Sequence, residues 1–436
     1  MKKILSTIIL FFGSFYFSFS QTAAPGVQWE KALGGTGDDK AFSIHHTADK
    51  GYIVAGYSTS LDKDVKSNHG DYDMWVLKLD SIGTIQWQKS LGGSSRDEAT
   101  AITQTLDGHY ILVGSTFSTD GDIKDNHGSF DIWAVKMNAT GNIIWQRCLG
   151  GSSIDEATDV QVTRDGGCII SGFTKSTNGN VGNNHGLYDF WLVKLSSTGN
   201  LEWEKSFGGS SDDKCYSIKT TMEGGFIVAG HTKSIDGDIS NNHGGFDAWL
   251  VCLTKDGDIK WEKTLGGTED DGALSIEQTN DRGFIMAGFS KSDDGDVEEN
   301  RGYTDFWVVK LNSAGGIEWQ KTLGGLKFDY ATGVKQTDEG GYVVIGQSNS
   351  SDEDVKRNHG GFDFWVVKLA KEGAIQWQKS VGQNENDEAY DIQQTKDRGY
   401  VIAGYSRSSR INTRNDIHED YDYWIVKLYG NRKKRY

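Results

Sequence analysis

Proline is almost missing from this chain, since its 436 residues hold only Pro25. Turns must therefore be made by the 56 glycines together with Asp and Asn, which tolerate the left-handed backbone of tight hairpins. Beyond the first twenty residues no apolar run is long enough to cross a membrane. Cationic charge is also short, with 45 Lys and Arg against 61 Asp and Glu, for a net charge of −16. That deficit excludes a nucleic-acid binder, which needs clustered cations to neutralise phosphates. It suits a soluble surface, a cationic ligand or bound metal ions. Cysteine is sparse: Cys148, Cys168, Cys215 and Cys252 fall at four different places in the repeat described below. They read as sporadic core or surface substitutions, with disulfide pairing as the alternative. No stretch keeps a 3.6-residue apolar period, so helices are expected to be absent or trivial.

What the chain does have is aromatic residues and periodicity. Its 14 Trp, 17 Tyr and 19 Phe can bury a large core, which excludes a disordered chain. One Trp recurs at a fixed step of 58: Trp29, Trp87, Trp145, Trp203, Trp261, Trp319 and Trp377. A second series runs Trp75, Trp133, Trp191, Trp249, Trp307 and Trp365, then Trp424 after a one-residue insertion. The two series use every tryptophan and are expected to stack between repeats.

Each unit reads as four short strands. In the second copy these are Ala99–Thr105, Tyr110–Val113, Asp131–Met137 and Ile143–Arg147, joined by Asp/Gly turns and one long polar loop, Ser115–Ser129. Four-stranded repeats of this kind build propeller blades, whereas a solenoid would need atypical polar ends. Val27–Lys31 matches a fourth strand, and Tyr423–Leu428 matches a third strand with no fourth after it. The N-terminal strand is therefore expected to complete the last blade and remove an open edge. The fold class is all-β: a seven-bladed β-propeller of four-stranded antiparallel blades over residues 27–429.

Residues 1–20 have the form of a secretory signal: Lys2 and Lys3, an apolar stretch from Ile4 to Phe19, and small residues up to a cut near Ser20. Residues 21–26 form a short N-terminal segment, and 430–436 a basic tail read as a solvated end. The protein is expected to be exported, to the cell surface, periplasm or medium, and monomeric.

The hairpin Lys78–Trp87 resembles the Trp-docking motif of quinoprotein-type propellers, in which a turn Asp and Gly precede a Trp that locks one blade to the next. Asp80 becomes Asn138, Ser196, Thr254, Asn312 or Ala370 in other copies, and nothing points to a quinone. The whole unit resembles secreted propeller-repeat proteins of Bacteroidetes. It carries W-x-K-x-x-G-G-x-x-x-D-x-A at Trp87–Ala99 and D-G-G-Y-I-V-A-G, nearly verbatim, at Glu223–Gly230. That resemblance implies a fold and an exported setting, with no established activity.

Alternating strand directions put the blade-to-blade loop and the long second-to-third loop on one face. The first loop ends in Asp39, Asp97, Asp155, Asp213, Asp271, Asp329 and Asp387, where the innermost strand begins near the channel. These are candidate ligand-face residues, with backbone amides as the competing partner. The long loop reads S-x-D-G-D-[VI]-x-x-N-H-G-x-x-D-x-W. Its Asp64, Asp122, Asp238, Asp296 and Asp354 (Asn180 in the third copy) could hold calcium through oxygen ligands, although the spacing is not that of a regular calcium loop. His69, His127, His185, His243, His359 and His418 precede Asp73, Asp131, Asp189, Asp247, Asp305, Asp363 and Asp422. The preferred reading is a structural His–Asp–Trp hydrogen-bond network.

Motifs of hydrolytic catalysis are absent: there is no G-x-S-x-G, no H-E-x-x-H and no sialidase-type box. Near-identical repeats suit multivalent binding better than one asymmetric site. The expectation is a non-catalytic binding, adhesion or protein-interaction scaffold for a polysaccharide or protein surface, without a cofactor unless calcium is bound. The alternatives are a carbohydrate-active enzyme with its site in the central channel, and a subunit of an envelope complex. The spots that break the pattern are Arg301, Leu326-Lys327-Phe328 and the shifted loop Ser408–His418.

Overall fold

The computed structural model describes residues 22–407 and 420–430; residues 1–21, 408–419 and 431–436 lie outside them. Among the described residues there are 28 strands and no helix. They form seven four-stranded antiparallel sheets, a seven-bladed β-propeller. Blades 1 to 6 run Asp39–Leu91, Asp97–Leu149, Asp155–Phe207, Asp213–Leu265, Asp271–Leu323 and Asp329–Val381. Blade 7 takes three strands from Asp387–Leu428 and its outer strand from Val27–Leu33, with Trp29 opposite Lys427 and Leu33 opposite Tyr423. The ring closes as its sequence phase requires.

In blade 2 the strands are Asp97–Gln104, Tyr110–Thr116, Asp131–Met137 and Ile143–Leu149. The inner strands are longer than the apolar pattern suggests because the loops clamp their ends, as where the Phe117 amide donates to the Arg96 carbonyl at 2.8 Å. The second and third strands are buried on both faces, so they read as continuous apolar runs.

The core lies between blades. One cluster joins Ile53, Ala55, Met74 and Val76 of blade 1 to Trp133, Val135 and Met137 of blade 2, and six equivalent clusters complete the circle. Trp133 is fully buried there, and its indole donates to Gln146 at 2.9 Å. Burying one such ring is worth about 4–6 kcal/mol at roughly 25 cal/mol per Å². The first Trp series reaches the next blade near the surface. Trp87 packs edge-on to Tyr110, and its Nε1 donates to the Ala139 carbonyl at 3.1 Å. Gly141 in that turn has φ +78°, and a Cβ there would lie 2.9 Å from the Trp87 ring. Backbone sign and close approach thus both demand glycine.

Each innermost strand carries a bulge, between Ala99 and Ala101 in blade 2. It turns an amide toward the preceding blade, where a side chain receives it. Ser43 accepts from Ile102 at 3.2 Å, Asp159 from Ile218 at 3.1 Å and Asp391 from Ile44 at 3.0 Å. Ala101 and Gly333 cannot serve; in those blades Thr100 and Thr332 donate instead to the carbonyls of Ala157 and Ala389. The four cysteines are buried and unpaired, and burial pushes the thiols of Cys148, Cys168 and Cys215 up to about 12. No described helix is long and apolar enough to cross a membrane.

Candidate functional site: the loop-rich face and the central channel

The two loop types meet on one face because the first strand of each blade starts where its second strand ends. In blade 2 the Ser94 amide donates to Asp120 at 2.7 Å, the Ser95 amide to Ser118 at 3.0 Å and the Asp122 amide to the Gly92 carbonyl at 3.0 Å. Asp97 sits beneath this crossing. Its Oδ2 accepts from the Gly93 amide at 2.8 Å and from Ser118 Oγ at 2.7 Å, and its Oδ1 accepts from Thr116. All seven counterparts, Asp39, Asp97, Asp155, Asp213, Asp271, Asp329 and Asp387, have no exposed surface. They begin the innermost strands, but inside the loop crossing rather than on the channel wall.

The His–Asp pairing is present in five copies. His69, His127, His185, His243 and His359 each bring Nδ1 to 2.6–2.7 Å of Asp73, Asp131, Asp189, Asp247 and Asp363. The same aspartate oxygen accepts the histidine's backbone amide, at 2.8 Å in the first copy. In blade 5 the Arg301 amide alone bonds Asp305, at 2.9 Å. His418 lies outside the described residues; Asp422, four positions later in the sequence, is half-buried. The tryptophan, expected as the third member, is not in this network. The indoles of Trp75, Trp191 and Trp249 extend to Gln88, Glu204 and Glu262 on the outer strand. Asp73 and its counterparts point instead toward the loop glycines.

Two carboxylates therefore meet at each junction. A Cβ on Gly92 would lie 2.5 Å from Asp73 Oδ1 and 2.9 Å from Asp97 Oδ2, so the first glycine of the G-G pair makes room for both. Asp73 Oδ1 is buried without a donor, and the same holds at Asp131, Asp189, Asp247, Asp305 and Asp363. Burial lifts Asp39 and Asp189 to about 6, and Asp305 and Asp422 to about 7, with the neighbouring aspartate adding to the rise at the last three of these. The calcium candidates have other partners. Asp64, Asp122, Asp238 and Asp296 accept the amides of Gly34, Gly92, Gly208 and Gly266 at 3.1–3.4 Å, and Asp354 pairs with Arg301. Among the described residues no group of three His, Cys, Asp or Glu side chains is arranged to hold a metal ion.

Among exposed loop carboxylates such as Asp62, Asp71, Asp120 and Asp236, this face also presents aromatic–cation pairs. Lys40 lies 4.1 Å from the Tyr421 ring centre, Arg96 5.1 Å from Tyr72 and Lys214 4.3 Å from Tyr188. Arg301 and Leu326-Lys327-Phe328, singled out separately in the sequence, come together between blades 5 and 6. The Tyr303 amide donates to the Lys327 carbonyl at 3.1 Å, and the Tyr303 and Phe328 rings stack at 5.1 Å. Tyr303 is 67% exposed and Leu326 57%, making this an open apolar ledge of the mouth. The third pattern-breaking spot, Ser408–His418, lies outside the described residues.

The central channel encloses about 320 Å³ and is lined by the innermost strands of all seven blades. Here the repeats diverge. The seventh residue of that strand is His45, Thr103, Gln161, Lys219, Glu277, Lys335 and Gln393 in turn. Asp159 and Asp391 replace the serines of other blades two residues earlier, and Lys219 pairs with Asp159. Sequence reasoning missed these residues because it followed what the copies share. Comparing the seven copies position by position, and asking where polar residues differ, would have found them.

None of the described protein families matches the chain. It is 24% identical over 285 residues to the regulatory protein FlaEY of Caulobacter vibrioides, a match covering 58% of this chain and 29% of that one. The chain thus spans less than a third of that relative's length. Among solved structures, BamB of Moraxella catarrhalis is 13% identical at a TM-score of 0.45, covering 93% of this chain and all of that one. Sqt1 of Chaetomium thermophilum is 10% identical at a TM-score of 0.45, with the same coverage.

Proposed function

We propose that the chain is a non-catalytic binding scaffold that holds a polysaccharide or protein surface against its loop-rich face, in an exported setting. One observation carries this reading: the buried aspartates fix the loops, and the loops so fixed present aromatic rings and cations among their exposed carboxylates. The Tyr303–Leu326–Phe328 ledge is the main contact, because exposed aromatic and aliphatic side chains on fixed loops lose little entropy on binding. Aromatic–cation pairs at blades 1, 3, 4 and 7 add weaker contacts that combine by avidity. The partial likeness to a protein named as regulatory supports an interaction role.

The test is a pull-down of the mature protein against envelope and culture-medium fractions and a polysaccharide panel, with and without chelator. The Y303S/L326S/F328S variant is expected to lose most of the captured material while keeping its β-sheet circular dichroism. The reading fails if nothing binds saturably or if the folded triple variant binds equally well. Turnover of any panel polysaccharide would replace it with the enzyme reading.

A further inference from the structure

The channel holds two opposite charges that the protein leaves without a direct partner. Glu277 Oε2 is buried and accepts no hydrogen bond. Lys335 Nζ makes no hydrogen bond and no ion pair within 4.0 Å, although Glu277 projects from the neighbouring blade at the same level. The other charged groups of the wall are committed. Asp159 takes Lys219 and the Ile218 amide, and Asp391 takes the Ile44 amide. Burial alone would push the Lys335 ammonium down, but Glu277, Asp391 and Asp159 together hold it above its ordinary value, so it stays charged. His45, near Lys335, is held down to about 4 by burial first and Lys335 second, and is neutral at physiological pH.

We propose that the channel binds a small zwitterion of the α-amino-acid class, its carboxylate on Lys335 and its ammonium on the Glu277 carboxylate. A simple anion would satisfy Lys335 but add to three carboxylates, and a simple cation would meet Lys335 itself. A ligand carrying one charge of each sign satisfies both groups and leaves the net charge unchanged. The enclosed volume, at the low end for small-molecule sites, suits a ligand of that size. This site lies inside the ring and does not depend on the scaffold reading of the loop face.

The experiment is calorimetric titration of the full chain with glycine, L-serine and L-glutamate, set beside glycinamide and N-acetylglycine, which each lack one charge. At least one free amino acid is expected to bind with one site per chain, and both blocked analogues at least about tenfold more weakly. Glu277→Gln and Lys335→Met are each expected to weaken binding by about tenfold or more, whereas the triple loop-face variant binds as the parent does. No heat from any free amino acid up to about 10 mM, or equal binding of the blocked analogues, overturns the proposal. Should Lys335→Met fail to fold, the analogue comparison on the unaltered protein decides alone.

Discussion

The paired carboxylates at each blade junction differ in what they accept, and that difference predicts opposite outcomes for two neighbouring substitutions. Asp97 takes three donors, so Asp97→Ala strands the buried Gly93 amide and removes two charge-assisted hydroxyl bonds. At about 1–3 kcal/mol for the unpaired amide and somewhat less for hydroxyls that can turn elsewhere, the expected loss is about 3 kcal/mol. Asp73 uses only Oδ2, which accepts from His69 twice, while Oδ1 faces Asp97 without a donor. Asp73→Asn keeps one acceptor for His69 and places an N–H where the orphan oxygen was, pointing at the Asp97 carboxylate. The expected gain is about 1 kcal/mol at pH 8. The gain should be smaller at pH 5 than at pH 8, because burial raises the Asp73 carboxyl above its ordinary value and any proton it takes up on acidification supplies the same bond. Urea unfolding of both variants at the two pH values is the assay. The reasoning is refuted if Asp73→Asn destabilises the protein as Asp97→Ala does, or if its gain is the same at both pH values.

Two further predictions concern the whole ring and one turn. Asp39 and Asp189 titrate at about 6, and Asp305 and Asp422 at about 7, against 3.8 when unfolded, so the folded form binds more protons between about 4 and 7. Stability that these groups contribute at low pH is therefore lost as pH rises through that window, and the melting temperature is expected to be lower at pH 8 than at pH 5. His45 and His231, held down to about 4, act in the opposite sense but are outnumbered; a melt that rises from pH 5 to 8 would contradict this balance. Gly108 and Gly141 share a left-handed backbone, at φ +81° and +78°, but a Cβ on Gly108 meets nothing within 4 Å. Gly108→Ala should cost about 1 kcal/mol and Gly141→Ala about 1–3 kcal/mol more, by chemical denaturation; equal losses would remove the Trp87 contact from the account.

Much of the ring was legible because the repeat places the same residue at the same structural position seven times. Trp29 to Trp377, the Asp/Gly turns and the unmatched terminal strands announce blade number and closure without any knowledge of contacts. The loop residues were legible as a group but not in role. Asp97 and Asp73 look alike in sequence, as short acids three or four residues after a glycine, and only the crossing of two loops separates a saturated carboxylate from a half-satisfied one. Trp133 was assigned to the wrong hydrogen bond because Asp131, two residues away on the same strand face, is the nearer partner in sequence, while Gln146 arrives from the next strand.

The sequence by itself determined the architecture: apolar periodicity, turn chemistry and the phase of the termini are local properties that repetition amplifies. Tertiary structure decided where chemistry is open. Closing the ring buries the conspicuous aspartates against loop amides and joins Arg301, Tyr303 and Phe328 from two blades. It also gathers Lys219, Glu277, Lys335 and Asp391 around one axis. Those four are separated by more than fifty residues each, and no local pattern links them. They meet because seven strands converge on a common centre, which is a property of the closed ring and not of any single blade.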